Sequence, residues 1–278
     1  MGQQIRYSDI TLPTETRDAA VISPFYATGL DTGLLSGRIF HKHLNNLANM
    51  PAQPVNFLSA PEQGSPSMST NGFGVDLDFI NYLRLDTAEP PNMSGLHVFR
   101  PVQDGTFNET GRIVDTLIRR TTNDVHGFTI SYQQFTSTNT SRINYLFNGQ
   151  NGANFEGIAG NVMSDTPKDD DAWRALAYSI DSTVNTITFW DLDGYDPSGA
   201  LTAISVNIGS RTLSTRQRGA HVIYGSTLET GVSAVGQLQK AAAFTWNRGI
   251  STAEVQSQWL VTQKQLLDLG LSVGIQPA

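Results

Sequence analysis

The sequence contains no cysteine, which excludes a disulfide framework and thiolate metal sites. Because a large secreted animal domain usually carries a disulfide, the lack of cysteine disfavours that setting. No run of 18 apolar residues exists that would form a membrane-spanning helix, so no membrane insertion is expected. Residues 1–6 lack the apolar segment of an export signal, and we therefore expect a chain made without one.

Charged residues are scarce as well, at 15% of the 278 residues, and the formal net charge is -7. An acidic chain repels the phosphate backbone of nucleic acids. Its basic residues are scattered, and the densest groups, Arg119 with Arg120 and Arg216 with Arg218, are too short to form a basic patch. The sequence therefore predicts no nucleic-acid partner.

What the sequence does contain, from residue 71 onward, is a series of short apolar runs separated by Gly, Asn, Asp and Pro. Runs of this length, with no helical pattern between them, are typical of an antiparallel β-sandwich or jelly roll. Strands are predicted at 72–77, 81–85, 95–100, 113–118, 127–132, 142–147, 173–180, 185–190, 222–224 and 240–246. The predicted fold class is therefore all-β.

Residues 1–70 differ from this pattern, since they hold six of the twelve prolines. Only 32–49 could form a short helix, because Leu34, Leu35 and Ile39 roughly share a helical face with later leucines. The rest is predicted to be an extended N-terminal arm, either disordered or held by a partner. Its apolar residues favour the second alternative. The predicted domains are the arm, 1–70, and the sandwich, 71–278, which is expected to fold without the arm.

One helix is predicted, and it follows the last strand. Ser251 and Glu254 form a capping box, in which each side chain bonds the backbone amide of the other residue. Gly270 is a plausible helix end. The apolar stripe of this helix consists of Val255, Trp259, Leu266 and, less regularly, Leu260.

Three segments, 171–181, 185–194 and 241–255, resemble motifs of the laminin-G-like branch of the concanavalin A-like lectin/glucanase superfamily, which bacteriophage structural proteins also contain. The first segment has Arg174 and Ala175 where the family usually has histidines. The resemblance covers about residues 71–260. It implies a sandwich closed by a strand and a short helix, with Ile250 fixing the helix to the core. The superfamily includes lectins, adhesins, glycosidases and structural modules, so the resemblance implies a fold and no single function.

The sequence lacks the carboxyl pattern that glucanases of this superfamily use. A retaining glycosidase needs two carboxyl groups about 5 Å apart, which the family supplies from a Glu-x-Asp-x-(x)-Glu strand. The nearest matches, 75–78 and 190–193, contain no glutamate. No Ser–His–Asp set is apparent either. We therefore predict that the protein is not an enzyme and has no catalytic residue.

Metal and cofactor sites are predicted only weakly. Asp191, Asp193 and Asp196 alternate as Ca²⁺ ligands do, but no acidic residue closes the loop, and the resemblance implies a turn at Asp193–Gly194. Residues 169–171 form a second acidic cluster, for which a solvated loop that could cap a neighbouring element is the simpler interpretation. His41 and His43 lack partners for zinc. No cofactor is predicted, and bound Ca²⁺ is left open.

Two features could recognise a carbohydrate. The segment 148–154 is rich in amides, which suit sugar hydroxyl groups, and Asn148, Asn151 and Asn154 are its candidate binding residues; the same composition is also ordinary for a turn. Three tryptophans on predicted strands could stack on a sugar ring, although core packing is the simpler interpretation. They are Trp173, Trp190 and Trp246.

The predicted function is a non-enzymatic structural or adhesive component of a virus particle, such as a phage tail, fibre or head-decoration protein. Residues 1–70 would contact other virion proteins, and the protein would be a homo-oligomer located in the virion. The sequence has no heptad repeat, so the oligomer would not be a coiled coil. The alternative is a lectin module, in which the sandwich binds a carbohydrate such as a host-surface glycan.

Overall fold

The computed structural model describes residues 30, 32–40, 67–68, 73–78, 82–85, 87–102, 110–116, 118–121, 124–135, 140–151, 154–162, 166–167, 172–193, 195, 199–225 and 237–273. The chain forms an antiparallel β-sandwich with a helix after its last strand, which confirms the predicted fold class. Most of the predicted arm lies outside the described residues.

The elements are, in chain order, β1 (Leu34–Ile39), β2 (Ser67–Met68), β3 (Val75–Leu77), β4 (Leu83–Leu85), β5 (Met93–Val102), β6 (Thr110–Asp115), β7 (Ile118–Thr121), β8 (Asp124–His126), β9 (Phe128–Phe135), β10 (Thr140–Asn151), β11 (Asn154–Asn161), β12 (Thr166–Pro167), β13 (Arg174–Asp181), β14 (Thr186–Asp191), β15 (Ala203–Ser205), β16 (Val222–Gly225), β17 (Gln237–Trp246) and α1 (Thr252–Asp268). Each of the ten predicted strands corresponds to an observed strand, so those predictions are confirmed.

Two large sheets face each other. The eight-stranded sheet has the order β15-β14-β13-β5-β17-β3-β2, with β1 paired to β17 beside β3. The seven-stranded sheet has the order β11-β10-β9-β6-β16-β4, with β12 paired to β10. A separate hairpin joins β7 and β8. Strand β17 is central, because β5 pairs along one edge while β3 and β1 share the other.

The main core lies between the two sheets, where alternate residues of each strand point inward. Strand β9 contributes Phe128, Ile130 and Tyr132, which are almost completely buried. From the opposite sheet, Tyr178 packs edge-on against Phe128, with 5.7 Å between ring centroids. The alternation of apolar residues along β9 therefore identifies the side chains that form this core.

Helix α1 makes a third layer on the outer face of the eight-stranded sheet. Its residues Val255, Trp259 and Leu266 are fully buried in a second apolar cluster that includes Trp246 of β17. Ile250 joins the same cluster, as the resemblance implies. Leu260 is 40% exposed and lies outside the stripe, so including it was wrong. No helix in the described part of the chain has both the length and the apolar character needed to cross a membrane.

Both ends of α1 follow the sequence signals. Ser251 accepts a bond from the Glu254 amide at 3.3 Å, and the Ser251 amide donates to the Glu254 carboxylate at 2.8 Å. At the other end Gly270 adopts φ 94°, a conformation that a residue with a side chain rarely takes. The predicted capping box and the predicted stop are confirmed.

Replacing the capping serine with alanine (Ser251→Ala) is expected to lower the free energy of unfolding by about 1 kcal/mol, because the Glu254 amide loses its acceptor. Urea denaturation followed by circular dichroism measures the change. Ser257→Ala is the matched control, since Ser257 lies in the same helix and bonds only the carbonyl of Ala253. Equal losses in the two variants would show that the cap contributes nothing specific.

The predicted helix within 32–49 is wrong for residues 34–39, which form strand β1. Its register places Leu34 opposite Trp246 and Ile39 opposite Ala242 of β17. The leucine spacing fits a helical face, but pairing to an uncovered edge of β17 satisfies the backbone groups and buries Ile39. The boundary predicted at residue 70 thus leaves two strands of the sandwich, β1 and β2, on the arm side.

Candidate functional site

A row of four side chains crosses the outer face of the eight-stranded sheet. Strand register aligns Asp76 of β3 with Gln239 of β17, and Gln239 with Arg100 of β5. Trp173 immediately precedes β13. Arg174, the first residue of β13, is paired with Phe99, which precedes Arg100 in β5. We call Trp173, Arg100, Gln239 and Asp76 the outer row.

Trp173 is partly exposed at one end of the outer row, and its indole packs at the margin of the cluster beneath α1. The Arg100 guanidinium carbon lies 5.0 Å from the centroid of its ring, a cation–π arrangement. A side chain at position 74 would place its Cβ 2.8 Å from the Trp173 ring. Gly74, with φ 76°, therefore allows the indole to lie close to the sheet.

Hydrogen bonds link the remaining members of the outer row. Arg100 donates from Nε to Gln239 Oε1 at 2.5 Å, and Gln239 donates from Nε2 to Asp76 Oδ1 at 2.6 Å. Arg100 and Asp76 are both partly exposed, whereas Gln239 is buried between them. These bonds hold the outer row in place, and the positive charge of Arg100 balances the negative charge of Asp76.

The outer row lies beside the apolar cluster that the buried residues of α1 form with the sheet. Phe73 stands between the row and the end of the helix, within van der Waals distance of a side chain placed at Gly270. The helix itself packs on the rows that contain Leu96, Val98 and Phe244. An indole, a guanidinium and a carboxylate, all three partly exposed, thus lie together on one sheet beside the cluster beneath α1.

The predicted asparagines lie on the other sheet. Asn148 belongs to β10 and is 3% exposed, and within the described part of the chain neither its Oδ1 nor its Nδ2 has a hydrogen-bond partner. Asn151 and Asn154 face each other as the last backbone pair of the β10–β11 hairpin. The described residues of this segment, 148–151 and 154, are therefore strand. A carbohydrate-binding role for these asparagines stays a prediction.

Of the three predicted tryptophans, Trp190 and Trp246 are core residues, as the simpler interpretation held. Both belong to the cluster beneath α1, and Trp246 donates from Nε1 to the Leu30 carbonyl at 2.7 Å. Trp173 contacts the same cluster but stays partly exposed, so core packing is confirmed for it only in part.

The aspartates after β14 are engaged by protein groups. Asp193 Oδ1 accepts from the Ala175 amide at 2.6 Å, and Oδ2 lies 3.4 Å from Nη1 of Arg174. Burial, together with the neighbouring Asp191 carboxylate, raises the pKa of Asp193 to about 7. Asp193 lies in a turn, as the resemblance implies, but the next strand, β15, begins only at Ala203.

The structure gives no support to the other residues that were considered as metal ligands. Asp196, the acidic cluster 169–171, His41 and His43 lie outside the described residues. Among the residues that are described, no three His, Asp or Glu side chains come together as a metal site would require.

Sequence reasoning missed three of the four members of the outer row. Arg100, Gln239 and Asp76 are isolated polar residues in three separate strands, and only the pairing of those strands brings them together. The available signal was alternation: Gln239 precedes Lys240, so the two residues point to opposite faces of the sheet.

No protein-family model matches the chain, and no curated protein sequence matches it. Solved structures that match include the botulinum neurotoxin serotype C1 binding domain, at 9% identity and a TM-score of 0.48, over 82% of this chain and 52% of that chain. The binding domain of botulinum neurotoxin DC in complex with SialylT matches at 10% identity and a TM-score of 0.47, over 74% and 46%. The receptor binding domain of botulinum neurotoxin D matches at 9% identity and 0.46, over 75% and 48%.

The chain spans about half the length of these binding domains. A likeness at these identities and TM-scores is too distant to carry an argument about function. The antiparallel sandwich itself rests on the strand pairing described above.

Proposed function

We propose that the protein is a non-catalytic carbohydrate-binding module whose ligand lies on the outer row. The observation that carries the proposal is the partly exposed indole of Trp173, placed beside groups that can bond hydroxyls on the same face of a sheet. An aromatic face packs against the C–H groups of a sugar ring, and a few positioned polar groups fix its orientation.

The charges of the outer row favour a neutral sugar. Arg100 and Asp76 compensate each other through Gln239, so an acidic sugar would gain little net attraction. Arg100 uses Nε for Gln239, and within the described part of the chain its guanidinium makes no other hydrogen bond. Its remaining N–H groups would donate to hydroxyl oxygens, while the Asp76 carboxylate would accept from hydroxyl groups.

Replacing Trp173 with alanine (Trp173→Ala) is expected to weaken binding of the glycan at least about tenfold, since an aromatic contact and its buried area contribute about 1.4 kcal/mol or more. A glycan array run with the purified protein, with and without Ca²⁺, identifies the ligand. Isothermal titration with that ligand then measures the affinity of each variant.

Three further variants make this test specific. Trp173→Phe should retain most of the binding because it keeps an aromatic face. Asn144→Ala should bind as the parent does, since Asn144 belongs to β10 of the other sheet and bonds Gln133. Asn151→Ala together with Asn154→Ala tests the predicted hairpin site. A loss in that pair, with unchanged binding by Trp173→Ala, would move the site to the hairpin; an array with no ligand would count against the module.

A structural or adhesive role in a virus particle, with residues 1–70 contacting other virion proteins in a homo-oligomer, stays a prediction from the sequence. The laminin-G-like assignment also stays a prediction, within the sandwich fold that is established. A carbohydrate-binding module is compatible with such a role, because an adhesive virion protein can bind a host-surface glycan.

A further inference from the structure

A lysine side chain lies fully buried between the two sheets, on the inner face of β17. Lys240 Nζ donates to the backbone carbonyl of Ile113 in β6 and lies 3.1 Å from Nδ1 of His97 in β5. It also lies 4.4 Å from the ring centroid of Tyr224 in β16. The amine therefore links both sheets of the sandwich.

His97 is equally buried and is enclosed by aromatic rings. Its imidazole stacks on Tyr178 of β13, at 5.8 Å between centroids, and meets Tyr224 edge-on at 5.3 Å. Nδ1 faces the Lys240 amine, while Nε2 has no hydrogen-bond partner among the described residues. We call Lys240 and His97 the core base pair.

Among the residues that the structure describes, no carboxylate forms an ion pair or hydrogen bond with the core base pair. The titratable groups that face it are Tyr178 and Tyr224, and burial raises the pKa of both phenols, that of Tyr224 to about 12. Glu89 and Arg216, further along the same core, form an ion pair with each other. A proton taken up by either base would therefore create a buried charge with no opposite charge in contact.

Burial is also the main cause of the pKa shifts of the two bases. It lowers the pKa of Lys240 well below 10.5, and burial together with the Lys240 charge lowers the pKa of His97 well below 6.5. The same packing that joins the sheets thus disfavours the charged form of both side chains.

The core base pair lies directly beneath the outer row. Lys240 follows Gln239 in β17, so the two side chains emerge from adjacent residues on opposite faces of the sheet. Lys240 is paired with Phe99, the neighbour of Arg100. Any separation of the sheets at the core base pair would move the backbone that positions the outer row.

We propose that the core base pair makes the sandwich acid-labile, so that a carbohydrate held by the outer row is released when the surroundings become acidic. The release step rests on the proposed function of the outer row, whereas the loss of stability in acid does not depend on it.

The direction of the pH dependence of stability follows from proton binding in the folded and unfolded states. Below pH about 6.5 His97 takes up a proton in the unfolded chain, whereas burial opposes this in the folded chain. The unfolded state therefore binds more protons, and the stability of the fold decreases as the pH is lowered. The folding equilibrium constant should fall by up to about tenfold per pH unit for that proton. Lys240 contributes in the same direction over a window that begins near pH 10.5, so it already lowers stability at neutral pH.

The test measures the stability of the full chain by denaturant unfolding from pH 8 to pH 5, in the parent and in His97→Gln. The glutamine keeps an oxygen that can accept from Lys240 but cannot take up a proton. For each pH unit below pH 6.5, the folding equilibrium constant of the parent should fall by up to about tenfold more than that of the variant. His221→Gln is the matched control, since His221 is partly buried elsewhere, and it should follow the parent.

Equal pH slopes in the parent and in His97→Gln would overturn the proposal. If His97→Gln does not fold, NMR of the parent decides: a His97 imidazole that stays neutral until the protein unfolds supports the proposal, and one that titrates near pH 6.5 in the folded protein overturns it. If His97→Gln releases the carbohydrate at a lower pH than the parent does, the proposed release in acid is supported. Identical release in both proteins overturns that step alone, and an absence of any ligand overturns the proposed function alone.

Discussion

Replacing Glu89 with alanine (Glu89→Ala) should lower the free energy of unfolding by about 3–5 kcal/mol, because it leaves a buried arginine without its counter-charge. The Glu89 and Arg216 side chains are both almost completely inaccessible and form an ion pair. Glu89 Oε2 also accepts bonds from the Thr116 hydroxyl at 2.7 Å and from the Gly219 amide at 2.8 Å. One carboxylate therefore joins three separate segments of the chain.

Urea denaturation at pH 7 measures this loss, and Asp268→Ala provides the control. Asp268 pairs with Lys264 on the exposed side of α1, with both side chains more than half exposed. Such a pair contributes about 0.5 kcal/mol or less. A Glu89→Ala variant that is no less stable than Asp268→Ala would show that the buried pair contributes no net stability.

Removing residues 1–70 is expected to lower the free energy of unfolding by more than about 5 kcal/mol, enough to unfold a domain of ordinary stability. The deletion takes away strand β1 and the buried side chains of Leu30, Ile39 and Phe40. It also removes the Leu30 carbonyl that accepts from Trp246 and leaves an apolar edge of β17 unpaired. The sequence pattern alone predicts the opposite, a sandwich that folds without its arm.

Removing residues 1–28 is the control for that experiment, because it retains Leu30 and all of β1. This shorter deletion separates any contribution of residues 1–28 from that of Leu30 and β1. Circular dichroism and denaturation of both truncated chains distinguish the two expectations. A stable, folded product from the 1–70 deletion would mean that β1 is dispensable.

The sequence predicted the sandwich well where the burial of a residue depends on its own strand. Short apolar runs bounded by turn residues identified β9, β13 and β14, and the Ser251–Glu254 pair identified the start of α1. Strand β1 was missed because its leucines also fit a helical face, and its strand conformation depends on β17, about two hundred residues later. Local pattern contains no information about that distant pairing.

The candidate site was harder to predict for the same reason. Trp173 was recognised as a possible sugar platform, but Arg100, Gln239 and Asp76 become neighbours only through strand register. Lys240 shows the reverse case. A lysine before a run of alanines would ordinarily be placed in solvent, yet the inward alternation of β17 makes it part of the core.

The position of β17 also sets the time at which the protein can fold during its synthesis. Strands β1, β3 and β5 all pair with β17 and all precede it in the chain. Leu30 and its partner Trp246 are separated by 216 residues. At about 5–20 residues per second, a ribosome needs roughly 10–40 seconds to cover that interval.

Throughout that interval the eight-stranded sheet lacks its central strand. The edges of β1, β3 and β5 that will pair with β17 stay open to other chains, and exposed edges of this kind favour aggregation. A chaperone that covers the nascent chain would therefore act mainly before residue 246 leaves the ribosome. Closure of the sandwich is a late event, in which β17 inserts between strands already made on either side of it.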